Sequence, residues 1–82
     1  MFVQTPGVEC AVPAEEIRAA LTKHMSGDWG SDICDADRKQ NNESLKNKGM
    51  LMSTWKSKAG TEFWIITDAG WRVSTALLPD EY

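Results

Sequence analysis

Eighty-two residues allow one hydrophobic core and one domain, 1–82. Charged residues make up 26% of the chain and hydrophobic residues 41%, a globular balance that excludes disorder. The formal net charge of −3 argues against direct nucleic-acid binding, which needs clustered Lys and Arg to neutralise phosphates.

No apolar run is long enough to span a bilayer, and the start lacks a charged leader segment, so the expectation is a soluble, cytoplasmic chain without membrane association. Cys10 and Cys34 are too few for a disulfide framework and are expected as small buried hydrophobes in a reducing compartment. Four Trp, two Phe and one Tyr supply enough large apolar surface for a small core, each worth about 1.5–3 kcal/mol on full burial.

Met1 to Thr5 is a short β-favouring run that Pro6-Gly7 stops with a turn signal. Val8 to Val12 then reads as a second extended piece or a lead-in. Pro13 sits where a helix tolerates proline, with Glu15 and Glu16 near the positive end of the dipole. Ile17, Ala20, Leu21 and His24 form one apolar stripe at helical spacing, which predicts a helix over 14–25 closed by Gly27.

Ser26 to Asp37 is the joint of the chain: helix stop, an indole between Gly27 and Gly30, then an acidic helix start. Trp29 is expected to plug one end of the core, with Asp28 satisfying loop amides. Ser31 or Asp32 is the expected N-cap of a second helix running to about Lys48 and closed by Gly49. Asp32, Asp35 and Asp37 crowd its start and Lys46 and Lys48 its end, matching the macrodipole. Its apolar anchors are few, Ile33, Cys34, Ala36 and Leu45, so it should pack lightly and leave a face for a partner.

From Met50 the period changes to two. Met50–Lys56 reads as a strand with Leu51, Ser53 and Trp55 on one face, then Lys58-Ala59-Gly60 as a hairpin turn. Thr61–Thr67 is apolar on both faces and so reads as the central strand. Asp68-Ala69-Gly70 is a second turn, and Trp71–Leu78 a third strand stopped by Pro79. The predicted fold is α+β, a three- to four-stranded antiparallel sheet with two helices in the order β-α-α-β-β-β, the first helix covering one sheet face.

No residues assemble a catalytic motif, so the chain reads as no enzyme. The one histidine, His24, lies on the apolar stripe, and a satisfied core histidine explains it better than a catalytic one. Cys34 lies beside carboxylates that would raise its pKa, although pairing of either cysteine with His24 stays open. The aspartates lack the spacing of a calcium loop, and Cys10, His24 and Cys34 lack a fourth zinc ligand, so neither metal nor cofactor is expected. Gly27-Asp28-Trp29-Gly30 has an Asp where a phosphate would be repelled. Trp55 and Trp64 with Lys56 and Lys58 could line an aromatic-basic sheet face for single-stranded nucleic acid, but core indoles with an edge-protecting lysine pair explain them more simply.

Four Trp are hard to bury in so small a core. An exposed indole beside an acidic helix is a typical interface composition. The residues singled out for partner binding are Asp28, Trp29, Asp32, Asp35 and Asp37, with Trp71 and Tyr82 as aromatic anchors. Their charge would steer the chain to a host protein or nucleoprotein complex with a basic surface, and a homodimer is compatible with the same surface.

His24-Met25-Ser26-Gly27-Asp28-Trp29-Gly30, Asp37-Arg38-Lys39-Gln40-Asn41, Leu45, Trp64-Ile65-Ile66-Thr67 and the ending Leu77-Leu78-Pro79-Asp80-Glu81-Tyr82 resemble a family of small accessory proteins carried on bacterial plasmids, prophages and integrative elements. The resemblance covers about residues 16 to 82. It departs at Gly70-Trp71-Arg72, where the family has a more polar turn, and at Ser31, an extra residue in the joint. It implies a mobile-element accessory protein and brings no established activity. The expected function is non-enzymatic inhibition of a bacterial defence complex, of anti-CRISPR or anti-restriction type, with a small nucleic-acid-binding or regulatory protein as the alternative.

Overall fold

The computed structural model describes residues 1–30 and 33–82. Strand β1 (Phe2–Gln4) leads into helices α1 (Pro6–Ala11), α2 (Ala14–Met25) and α3 (Asp35–Asn47). Strands β2 (Leu51–Lys56), β3 (Glu62–Thr67) and β4 (Ser74–Leu77) follow, and a 3-10 turn (Pro79–Glu81) ends the chain. The sheet has the order β1-β4-β3-β2. It is α+β as expected, with two differences from the predicted architecture.

The first is α1, which replaces the extended piece expected at Val8–Val12. Thr5 is its N-cap, accepting from Val8 N–H at 3.3 Å, and Pro6 occupies the first turn, where its missing N–H costs nothing. The turn signal at Pro6-Gly7 is a helix start. Val8 and Val12 are both buried, four residues apart as a helix face requires.

The second is the pairing of β1. It joins β4 in parallel, Phe2 beside Ser74 and Gln4 beside Ala76, so the sheet is mixed and not purely antiparallel. The long route through three helices and two strands permits this, because a parallel neighbour needs a crossover rather than a hairpin. The other pairs, β2 with β3 and β3 with β4, are antiparallel as expected.

Helix α2 keeps its predicted bounds and buries Ile17, Ala20 and His24, with Gly27 at φ 89° closing it. Helix α3 starts later than expected. Cys34 is its N-cap, and the expected caps Ser31 and Asp32 lie outside the described residues. It closes on Lys48 in the left-handed conformation, φ 55°, rather than on Gly49. Its anchors also differ: Leu45, Cys34 and Ala36 are exposed, while Asn41 and Ser44 are buried. Asn41 holds the helix to the outer edge of β2, its amide donating to Met52 O at 2.5 Å and its oxygen accepting from Met52 N at 3.0 Å. Trp29 O accepts from Thr54 N two residues along the same edge. The side chain and the loop together supply the partners that a further strand would bring, so this part of the edge is closed.

The core lies between the helices and the sheet in two apolar clusters. Val8, Val12, Ile17, Ala20, Phe63, Ile65 and Ala76 form the larger, and Trp29, Ile33 and Leu51 the smaller. Both cysteines are exposed and free, so neither is the buried hydrophobe expected. No helix among the described residues is long and apolar enough to cross a membrane.

Candidate partner-binding site

A chain of buried polar groups lies beside both clusters. Trp55 Nε1 donates to Ser53 Oγ at 2.6 Å, and Ser53 Oγ is 2.6 Å from His24 Nδ1. His24 Nε2 is 2.8 Å from Thr67 Oγ1, which is 2.8 Å from Ser74 Oγ. Trp55 can only donate. If the Ser53 hydroxyl donates its hydrogen bond to Nδ1, then Nε2–H donates to Thr67 and the Thr67 hydroxyl to Ser74. This order leaves its spare hydroxyl proton on Ser74, the least buried of the three hydroxyl residues. The reverse order would strand it on Ser53, which is fully buried. Burial lowers the His24 pKa to about 4, so the imidazole is neutral at physiological pH. The Ser53–His24 contact has the spacing of a nucleophile and its base, yet both groups are tied into the core. His24 is the satisfied core histidine that its place on the stripe suggested.

The residues expected to bind a partner fall in separate places. Trp29 is 6% exposed and meets the His24 ring edge-on, centroids 5.5 Å apart, so it is a core plug and unavailable as an interface anchor. Asp28 is exposed, with Oδ1 accepting from Gly30 N at 3.0 Å. It lies in a groove with Lys23, Arg38 and Lys56, which breaks up the expected acidic surface. Asp35 and Asp37 occupy the first turn of α3, where they complement its dipole. Asp32 lies outside the described residues. Among the described residues no three His, Cys, Asp or Glu side chains converge on a common point where a metal could sit.

Trp71 stands at the β3–β4 turn with φ 59°, a conformation that costs a bulky residue strain. Its Nε1 donates to Gly49 O at 2.9 Å, tying the turn to the end of α3. With Met25, Leu45 and Trp29 it surrounds a small cavity of about 90 Å³ that reaches His24, Thr67 and Ser74.

Tyr82 lies on the other side of the sheet. The helices cover the face bearing Ser53, Phe63, Ile65 and Ala76. The opposite face carries Trp64, Ile66 and Thr75, which register and strand alternation place together. Ile66, Val73, Thr75, Leu77 and Tyr82 line an open depression there of about 470 Å³, with Asp68 and Glu81 at its margin. The last residues are pinned beside it. Glu81 accepts from Thr5 Oγ1 at 2.5 Å, Leu78 N at 2.9 Å and Gly7 N at 3.3 Å. The Thr5 hydroxyl foremost, then the Leu78 amide, hold its carboxyl below the ordinary value. Tyr82 is thereby set edge-on to Trp64, ring centroids 5.8 Å apart. Trp64 Nε1 donates to Glu62 at 2.9 Å, and Asp68 Oδ1 accepts from Val73 N at 2.9 Å.

This apolar depression is the candidate site, and among the described residues Tyr82 alone of those predicted lines it. The sequence places Trp64 in the core and reads Thr61–Thr67, apolar on both faces, as the central strand, with a helix on one face only. The signal that could have found the site was the count of helices, too few to cover two faces.

No family model matches the chain, and neither a curated protein nor a solved structure does.

Proposed function

We propose that this protein is a non-enzymatic, partner-binding accessory protein that engages a basic host protein or nucleoprotein surface through the outer face of its sheet. The observation that carries this reading is the depression of Ile66, Val73, Leu77 and Tyr82, an apolar sheet face that the helices leave uncovered. Asp68 and Glu81 stand at its margin and Glu62 accepts from the neighbouring Trp64, all three exposed. An apolar centre with a carboxylate rim suits a partner with apolar side chains among Lys and Arg. The resemblance to mobile-element proteins adds the biological role: inhibition of a bacterial defence complex by occupying the basic surface with which it binds nucleic acid.

The test compares the wild type with the double variant Ile66→Ser, Tyr82→Ser. Each is co-expressed with a CRISPR or restriction system, and phage plating is measured. Restored plating by the wild type and its loss in the variant support the reading. Unchanged restriction of phage by both systems, or equal relief by both forms, overturns it.

A further inference from the structure

We propose that the groove between α2, the start of α3 and the β2 edge binds a nucleotide phosphate, with the base against Trp55. The groove is about 680 Å³ and shares no residue with the depression at Tyr82. Three cations from three different elements line it: Lys23 from the last turn of α2, Arg38 from the first turns of α3, and Lys56 from the end of β2. Asp28 is the one carboxylate among the described residues that line it. A local excess of positive charge in a chain of net charge −3 is the reverse of the chain's average.

Two further observations point to a ligand with an aromatic part. Lys23 Nζ sits 5.9 Å from the centroid of the Trp55 ring, so the indole presents a face to the groove that now holds a cation. A smaller hollow of about 200 Å³ shares Lys23, Trp55 and Lys56 with the groove and continues along α2 to Glu16 and Ala19.

A phosphate placed between Lys23, Arg38 and Lys56 would gain charge-assisted hydrogen bonds, with the planar guanidinium of Arg38 able to bind two oxygens at once. A base displacing Lys23 would stack on the indole face that Lys23 now covers. Free nucleotides and single-stranded nucleic acid both offer this chemistry, phosphate next to a planar base.

The test is anisotropy of a short labelled oligothymidylate titrated with the full chain over a range of salt. Neutralising one phosphate of a single strand gives a log–log salt slope of about −0.7. The double variant Arg38→Gln, Lys56→Gln should bind about tenfold more weakly or worse, with a flatter salt slope than the wild type. Asp28→Asn keeps the acceptor for Gly30 N and removes the one negative charge among the groove's described residues, so it should tighten binding about threefold. ATP should displace the strand, and inorganic pyrophosphate at equal concentration should displace it far less. Displacement by ATP at a concentration matching the strand's nucleotides assigns the groove to free nucleotides; a large advantage of the strand assigns it to nucleic acid. Absence of binding at low salt, equal affinity of the double variant, or equal displacement by pyrophosphate overturns the proposal.

Discussion

His24 and Ser53 are separated by 29 positions in the chain, and their Nδ1 and Oγ atoms lie 2.6 Å apart in the core. Burial of the histidine at this contact sets the pH response of the fold. The unfolded histidine has the ordinary pKa of 6.5 and the folded one about 4, because burial disfavours the imidazolium. Between those values the unfolded chain binds the extra proton. Stability is therefore full above pH 6.5 and falls as pH drops toward 4, by about 3 kcal/mol in all. Urea unfolding from pH 7.5 to 4 should show this slope. In His24→Gln, which cannot titrate, that part of the slope should vanish. The variant should also lose about 2–4 kcal/mol at pH 7, since Gln cannot satisfy both Ser53 and Thr67. An unchanged slope would mean that the histidine is not the titrating group.

Glu81 responds in a different window. Its carboxyl is held below the ordinary 4.5 by Thr5, Leu78 and Gly7, so its contribution is present above 4.5 and is lost as pH falls through the lowered value. Glu81→Ala should speed amide exchange at both Gly7 and Leu78. Glu81→Gln keeps one oxygen for Thr5 and Leu78 but places an amide donor where Gly7 N–H needs an acceptor, so Gly7 alone should exchange faster. Either change loosens Tyr82 from Trp64, and the ring-current shift of the Tyr82 protons should shrink. Unchanged exchange at Gly7 in both variants would refute the pinning of the chain end.

Much of the fold is legible in the sequence because it follows from periodicity. The stripe Ile17, Ala20, Leu21, His24 and the alternation Leu51, Ser53, Trp55 both survive in the structure, on the faces they predict. What periodicity does not show is backbone bonding by side chains. Asn41 looks like a solvated residue of a polar helix, and nothing local reveals that its partner is the Met52 backbone. The Val8–Val12 stretch is ambiguous because four residues separate its buried valines, a spacing that fits one strand face or one helix face. The Thr5 cap settles it, and that cap depends on Glu81 from the far end of the chain. The groove cations are hidden for a related reason: Lys23, Arg38 and Lys56 lie far apart in sequence and meet only through the helix–sheet packing.

Asn41 also offers a test of edge protection. Asn41→Ala removes two hydrogen bonds to buried backbone groups and should cost about 2–3 kcal/mol. It also exposes Met52 N–H and C=O on the edge of β2, which can then pair with a second copy. Sedimentation should show the variant associating with concentration more strongly than the wild type. A variant with wild-type stability would show that Met52 has other partners.

Gly27 and Gly30 flank the same indole and carry nearly the same left-handed backbone, φ 89° and 86°. Their surroundings make opposite predictions for the size of an alanine effect. A Cβ at Gly27 would meet nothing within 4 Å, so Gly27→Ala bears only the backbone strain, about 1–2 kcal/mol. A Cβ at Gly30 would collide with the Thr54 carbonyl oxygen, which is backbone and cannot move aside without shifting β2. That displacement would also stretch the Thr54 N–H bond to Trp29 O, and with it the seating of Trp29 on His24. Gly30→Ala should therefore cost about 3 kcal/mol or more and move the near-ultraviolet circular dichroism of the indoles. Gly27→Ala should leave that spectrum unchanged. Equal losses in the two variants would show that backbone conformation alone, and not the close approach to β2, makes glycine necessary at position 30.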